Sequence, residues 1–148
     1  MTAPALLDTG PLVAALSRRD RFHGWARREL AEIAPPLLTC EAVLSEACFL
    51  LRRVPEGPAA VLELVRRGLV SVALDLNREA RAVQKLLTRY SAVPMSLADA
   101  CLVRLAETTS ASLLLTLDSD FGVYRMHGRQ VIPVRMPGEL VRRRSRRH

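Results

Sequence analysis

Short apolar runs recur along the chain, each closed by a polar residue or a turn and followed by a longer stretch with helical spacing. Ala5-Leu6-Leu7 is the first and ends in Asp8. Thr9 is placed to cap a helix and Pro11 fits its first turn, which predicts a strand over 5–7 and a helix over 11–17. A second helix is expected over 22–33, with Trp25, Leu30 and Ile33 for the core, stopped by Pro35-Pro36. Leu37-Leu38-Thr39 reads as a short extended link, with Thr39 capping a helix over 40–53 that is apolar nearly all round and therefore expected to be buried. Pro55, Gly57 and Pro58 separate it from a helix over 59–67, for which Gly68 is the natural stop. Val70 to Leu74 reads as the second core strand, and Asn77 as the cap of a helix over 78–90. A helix over 96–108 follows Pro94, then a third apolar strand over 112–116, and a last strand over 131–134. Strands alternating with helices predict an α/β fold with a mainly parallel sheet covered on both faces.

Composition changes this picture little. The 148 residues suit one domain with a real core. No apolar run reaches the length of a membrane span, and the start lacks the basic residues of a signal peptide. Cys40, Cys48 and Cys101 are odd in number and dispersed, which fits a reduced, cytoplasmic protein. Charge says more. The net charge is +7, carried by Arg with Lys85 as the only lysine, and five Arg residues (Arg142, Arg143, Arg144, Arg146 and Arg147) crowd the last seven positions. The expected organisation is a single domain over 1–138 and a flexible Arg-rich tail over 139–148. The tail is either a phosphate-seeking arm or a solvated terminus.

The carboxylates carry the candidate chemistry. Asp8 ends a strand where the chain hands over to a helix, the edge at which open α/β sheets bind ligands. Glu46 has Ala42, Val43, Phe49 and Leu50 as helical neighbours, so it is expected to face the core, where an unpaired acid costs several kcal/mol. The plain alternative is a buried ion pair with an Arg, and Glu41 is a weaker candidate explained by the helix dipole. Asp99 closes Ser96-Leu97-Ala98-Asp99, a capping-box pattern, yet Leu102 and Val103 place it toward the core. Asp118 and Asp120 follow a strand; alone, Asp-x-Asp there is often an Asx turn. Four of the six Asp residues fall in these segments. Clustered carboxylates repel unless a cation is present, and an all-oxygen set selects Mg2+ or Mn2+, which supports phosphodiester hydrolysis.

Taken together, Leu7-Asp8-Thr9-Gly10-Pro11-Leu12-Val13-Ala14, Ser45-Glu46-Ala47, Ser96-Leu97-Ala98-Asp99-Ala100 and Thr116-Leu117-Asp118-Ser119-Asp120-Phe121 resemble the PIN-domain nucleases, and most closely the VapC-like toxins of toxin–antitoxin pairs. Asp20-Arg21-Phe22-His23 resembles a structural feature that follows the family's first helix. The resemblance implies that 1–138 is a single PIN-like nuclease domain of three layers, α/β/α, with a catalytic quartet at Asp8, Glu46, Asp99 and Asp118. It places metal ligands at Asp8, Asp99, Asp118 and Asp120, with Thr9 and Thr116 orienting them. It further implies cleavage of single-stranded or loop RNA with Mg2+ or Mn2+, homodimerisation and a small antitoxin partner. The Arg-rich tail is not part of the family pattern.

Two rivals differ in class. A catalytically silent PIN-like module that binds RNA or protein would be expected to lose costly acids, which this chain retains. A phosphatase or receiver domain also places Asp after its first strand. Position 10 is Gly rather than the second Asp of such a phosphatase, and Lys85 is misplaced for a receiver. The chain has no Gly-rich loop with Lys, no Gly-x-Ser-x-Gly and no Cys or His pair at zinc spacing. The expected function is a metal-dependent ribonuclease.

Overall fold

In the computed structural model, residues 4–111 and 113–141 are described. The Arg142 to Arg147 tail lies outside them. Five strands form one parallel sheet: β1 (Ala5–Leu7), β2 (Leu37–Thr39), β3 (Val70–Val72), β4 (Leu113–Leu115) and β7 (Val134–Arg135), in the order β3-β2-β1-β4-β7. Successive strand residues point to opposite faces, yet Ala5, Leu6 and Leu7 are all buried, so helices cover both sides of β1. Among the described residues six α-helices supply that cover: α1 (Thr9–Leu16), α2 (His23–Glu32), α3 (Glu41–Leu50), α4 (Gly57–Arg66), α5 (Leu76–Arg89) and α6 (Leu97–Thr109). A 3-10 turn, Ser119–Gly122, follows β4, and β5 (Arg125–Met126) pairs antiparallel with β6 (Gln130–Val131).

The chain runs outward from β1 through β2 to β3, then crosses back to place β4 on the other side of β1. This reversal opens a crevice beyond the carboxyl ends of β1 and β4, where side chains from both strand ends and from flanking helices meet. Asp8 lies at one of these ends and Asp118 just after the other. No helix among the described residues is long and apolar enough to cross a membrane.

Several local expectations change. Leu37–Thr39 is not a link but an inner strand, with one edge paired to β1 and the other to β3. Val70–Val72 is the sheet's edge, where Val72 is exposed. The expected last strand splits: Gln130–Val131 turns into the small hairpin, and Val134–Arg135 joins the sheet beside β4. Helix α1 starts at Thr9 with Asp8 as its cap, and α5 starts at Leu76 under Asp75, whose carboxylate accepts from the Asn77 and Arg78 amides. In both cases the acid one or two places upstream reaches the open amides first.

Helix α3 departs most from its pattern. It turns Val43 and Ala47 inward, and leaves Phe49 62% and Leu50 55% exposed. Its apolar character therefore serves two surfaces, only one of which is the core. Gly68 does stop α4: its φ is 77°, its amide donates to Val65 O, and that of Leu69 donates to Leu64 O. Asp20 accepts from the Phe22 amide at 2.8 Å, and His23 Nδ1 lies 2.7 Å from the Ala14 carbonyl, so this nitrogen carries the proton. The Asp-x-x-His segment is structural.

Candidate active site

A cleft of about 530 Å3 lies at the crevice, lined by Asp8, Thr9, Glu46, Ser96, Asp99 and Asp118. Its acids come from four places: the end of β1, the exposed side of α3, the first turn of α6 and the loop after β4. All four members of the expected quartet thus line one cleft. Gly10 also lines it; a Cβ there would stand 3.0 Å from the Leu117 side chain, so the glycine lets the two loops close together.

Asp8 is the buried member. Its Oδ1 accepts from the Thr9 amide at 2.7 Å and its Oδ2 from Thr116 Oγ1 at 2.7 Å. Burial pushes its carboxyl up to about 6, which those two bonds oppose and the charges of Asp99 and Asp118 reinforce. Thr116 does two jobs, because its hydroxyl also accepts from the Asp118 amide at 2.9 Å. It ties the end of β4 to that of β1. Thr116→Val keeps the shape but strands both partners, and should cost about 1–3 kcal/mol by chemical denaturation. Thr116→Ser should restore most of that; a valine variant as stable as wild type would show the bridge to be unimportant.

Asp99 occupies the capping box expected of it. Ser96 Oγ accepts from the Asp99 amide at 3.0 Å, and Asp99 Oδ2 accepts from the Ser96 amide at 3.1 Å. Burial raises its carboxyl, the Ser96 amide bond lowers it, and repulsion from Asp118 raises it further. Asp118 Oδ1 accepts from the Asp120 amide at 2.9 Å, closing the Asx turn that starts the 3-10 segment. Asp120 is raised by partial burial, then by Asp118 and Asp99. The structural roles and the convergence coexist, since a carboxylate oxygen that accepts one backbone amide keeps a second lone pair.

Glu46 corrects the sequence reading. It is exposed, not turned to the core, and its Oε2 accepts from Thr9 Oγ1 at 2.9 Å. The apolar neighbours that suggest burial, Phe49 and Leu50, are themselves at the surface. Sequence reasoning missed Tyr124, which is fully buried and donates through its hydroxyl to Asp99 Oδ2 at 3.3 Å. It packs edge-on against Phe121 at 5.3 Å and Tyr90 at 5.1 Å. A Tyr set among apolar residues needs a hydrogen-bond partner; this is its only signal in the sequence.

Chemically the donor set suits a hard cation, because it is all oxygen and burial and mutual repulsion hold the carboxyls of Asp8, Asp99 and Asp120 above the ordinary range. Among the described residues no three Asp, Glu, His or Cys side chains stand close enough to form a finished set of ligands. The arrangement is a ring of acids around a cleft.

The PIN-domain family model matches residues 5–125. The chain belongs to the PIN-domain family. The matched span runs from β1 to the start of β5, so it includes all four acids of the cleft. The solved structure of Mycobacterium tuberculosis VapC20, a Sarcin-Ricin loop cleaving toxin, has the same fold. It matches with a TM-score of 0.72 and 24% sequence identity, over 87% of this chain and 99% of that one. No curated protein matches the sequence. The three-layer PIN fold expected from the sequence is the observed one.

Proposed function

We propose that this PIN domain is a metal-dependent endoribonuclease that cleaves single-stranded or loop RNA, acting in the cytoplasm as the toxin of a toxin–antitoxin pair. The observation that carries the reading is the meeting of Asp8, Glu46, Asp99 and Asp118, from four separate elements, around one cleft of a nuclease fold. Asp8, Asp99 and Asp118, with Asp120 beside them, would hold Mg2+ or Mn2+. When bound, such an ion supplies charge neutralisation of the scissile phosphate and activation of water.

The chain's own residues set up that chemistry. Thr116 and the Thr9 amide fix both oxygens of Asp8, and Tyr124 with Ser96 fixes Asp99. Thr9 holds Glu46 by Oε2, which leaves Oε1 to accept a proton from an attacking water. The structural likeness to a toxin supports the biological role. Exposed Phe49 and Leu50, on the same helix as Glu46, offer an apolar rim for a small antitoxin chain. The protein would act as a homodimer, and the tail from Arg142 to Arg147 would add sequence-independent phosphate binding.

The test is cleavage of a panel of single-stranded and hairpin RNAs by wild type and Asp99→Asn, with Mn2+, with Mg2+ and with EDTA. Cutting that needs the metal and is lost in the variant is the expected result. RNA bound by both proteins and cut by neither would move the function to the silent binding module. Deleting the residues after Leu140 should flatten the salt dependence of RNA binding, by about 0.7 in log–log slope for each phosphate that the tail neutralises. An unchanged slope would make the tail a bystander.

A further inference from the structure

A second groove, of about 530 Å3, runs between α5, α6 and the β5–β6 hairpin, and its chemistry is opposite to that of the acidic cleft. Arg78, Arg81, Lys85 and Arg89 line it at spacings of three and four residues, so they form one stripe along α5, about 16 Å long at 1.5 Å per residue. All four are exposed, and among the described residues none has a carboxylate partner. The groove does contain two acids, but both are occupied. Glu79 accepts from Arg104 Nε at 2.6 Å, and Glu107 accepts from Arg104 at 3.2 Å and from the His127 amide at 2.6 Å. Arg104 offsets only one of these two carboxylates, but the five cations of the groove outnumber its two acids, so the stripe stays net positive.

The groove is mechanically joined to the acidic site. Arg89 Nη2 donates to the Gly128 carbonyl at 2.8 Å, which pins the hairpin to the end of α5. The next residue, Tyr90, packs edge-on against Tyr124, whose hydroxyl reaches Asp99. A ring of carboxylates repels a polyanion, so a nuclease built on one needs cations elsewhere to hold the strand. Among the described residues no other helix carries four cations in one stripe without a carboxylate partner.

We propose that the α5 groove is a docking surface for the sugar–phosphate backbone of substrate RNA. The substrate follows from the ribonuclease reading, on which this inference rests, but the groove meets phosphates and so is indifferent to base sequence. Arg81 and Lys85 hold the middle of the strand; Arg89 both binds and fixes the hairpin.

The experiment measures binding of a labelled single-stranded RNA by fluorescence anisotropy across a salt series, with Asp8→Asn present in every protein so that no cutting intervenes. Arg81→Gln with Lys85→Gln should raise Kd about tenfold and reduce the log–log salt slope by about 1.4, the value for two phosphates of a single strand. A control pair, Arg18→Gln with Arg19→Gln, removes the same charge from the exposed turn between α1 and α2 and should change neither. Unchanged affinity and slope in the α5 pair would overturn the proposal. Equal weakening in both pairs would also overturn it, by assigning the effect to net charge. Weakening confined to the α5 pair, with wild type cutting no RNA in Mn2+, would uphold the groove and defeat the nuclease reading.

Discussion

Asp8→Asn should abolish RNA cleavage and make the metal-free protein more resistant to heat at neutral pH. On the proposed mechanism the variant gives up a charged oxygen that would hold the metal, and several kcal/mol of charge stabilisation in the transition state is roughly a thousandfold in rate. The stability gain has a separate origin. The Asp8 carboxyl titrates near 6 in the folded protein against an ordinary value of 3.8. The folded chain therefore binds this proton more tightly than the unfolded chain does. Its stabilisation is fully present below about pH 4 and is lost as the pH rises through 6. The difference between 3.8 and about 6 corresponds to roughly 3 kcal/mol of destabilisation at neutral pH. Asparagine removes the buried charge but accepts only through one oxygen, so the net gain should be about 1–2 kcal/mol, several degrees in Tm. Thermal melts in EDTA at pH 7.5 and pH 4 check this. The variant should melt higher at 7.5, with the advantage shrinking by pH 4; a lower Tm at 7.5 would mean that the two hydrogen bonds outweigh the burial of charge.

Phe121→Ala should lower stability by about 3–4 kcal/mol, the range for emptying a fully buried aromatic site. Phe121 is the apolar anchor of the 3-10 turn that follows Asp118 and carries Asp120, and it packs edge-on against Tyr124. Losing it loosens that turn and the Tyr124 support of Asp99 together, so cleavage should fall as well. Val123, two residues on, is 53% exposed, and Val123→Ala should change stability by no more than about 0.5 kcal/mol. Urea unfolding of both variants makes the comparison. A drop under 1 kcal/mol for Phe121→Ala, far below the usual cost of such a void, would mean the turn is held by its backbone bonds alone.

The same residues show which features are legible from the chain. Asp8 can be read because a buried strand and a helix start are both local patterns, and their junction is a known place for a ligand. Ser96 and Asp99 can be read because a capping box is made within four residues. Gly68 can be read because ending a helix needs a positive φ that favours glycine. In each case the forces act over one turn or one strand. The third helix cannot be read this way. Val43 and Ala47 look no more apolar than Phe49 and Leu50, and only the packing of α3 against its neighbours decides which pair is buried. The apolar neighbours of Glu46 thus suggest a core position, whereas the side chain is exposed and lines the cleft.

The sequence by itself determined the α/β alternation, the acids at strand ends and helix starts, and the family resemblance that their order carries. The tertiary structure alone decided that Leu37–Thr39 is an inner strand, that β4 returns beside β1, and that Tyr124 reaches Asp99. It also decided that the cations of α5 face one groove while the acids face another. The reason is physical: periodicity and capping are set by neighbours a few residues apart, whereas strand order, helix rotation and charge pairing depend on groups brought together from distant parts of the chain.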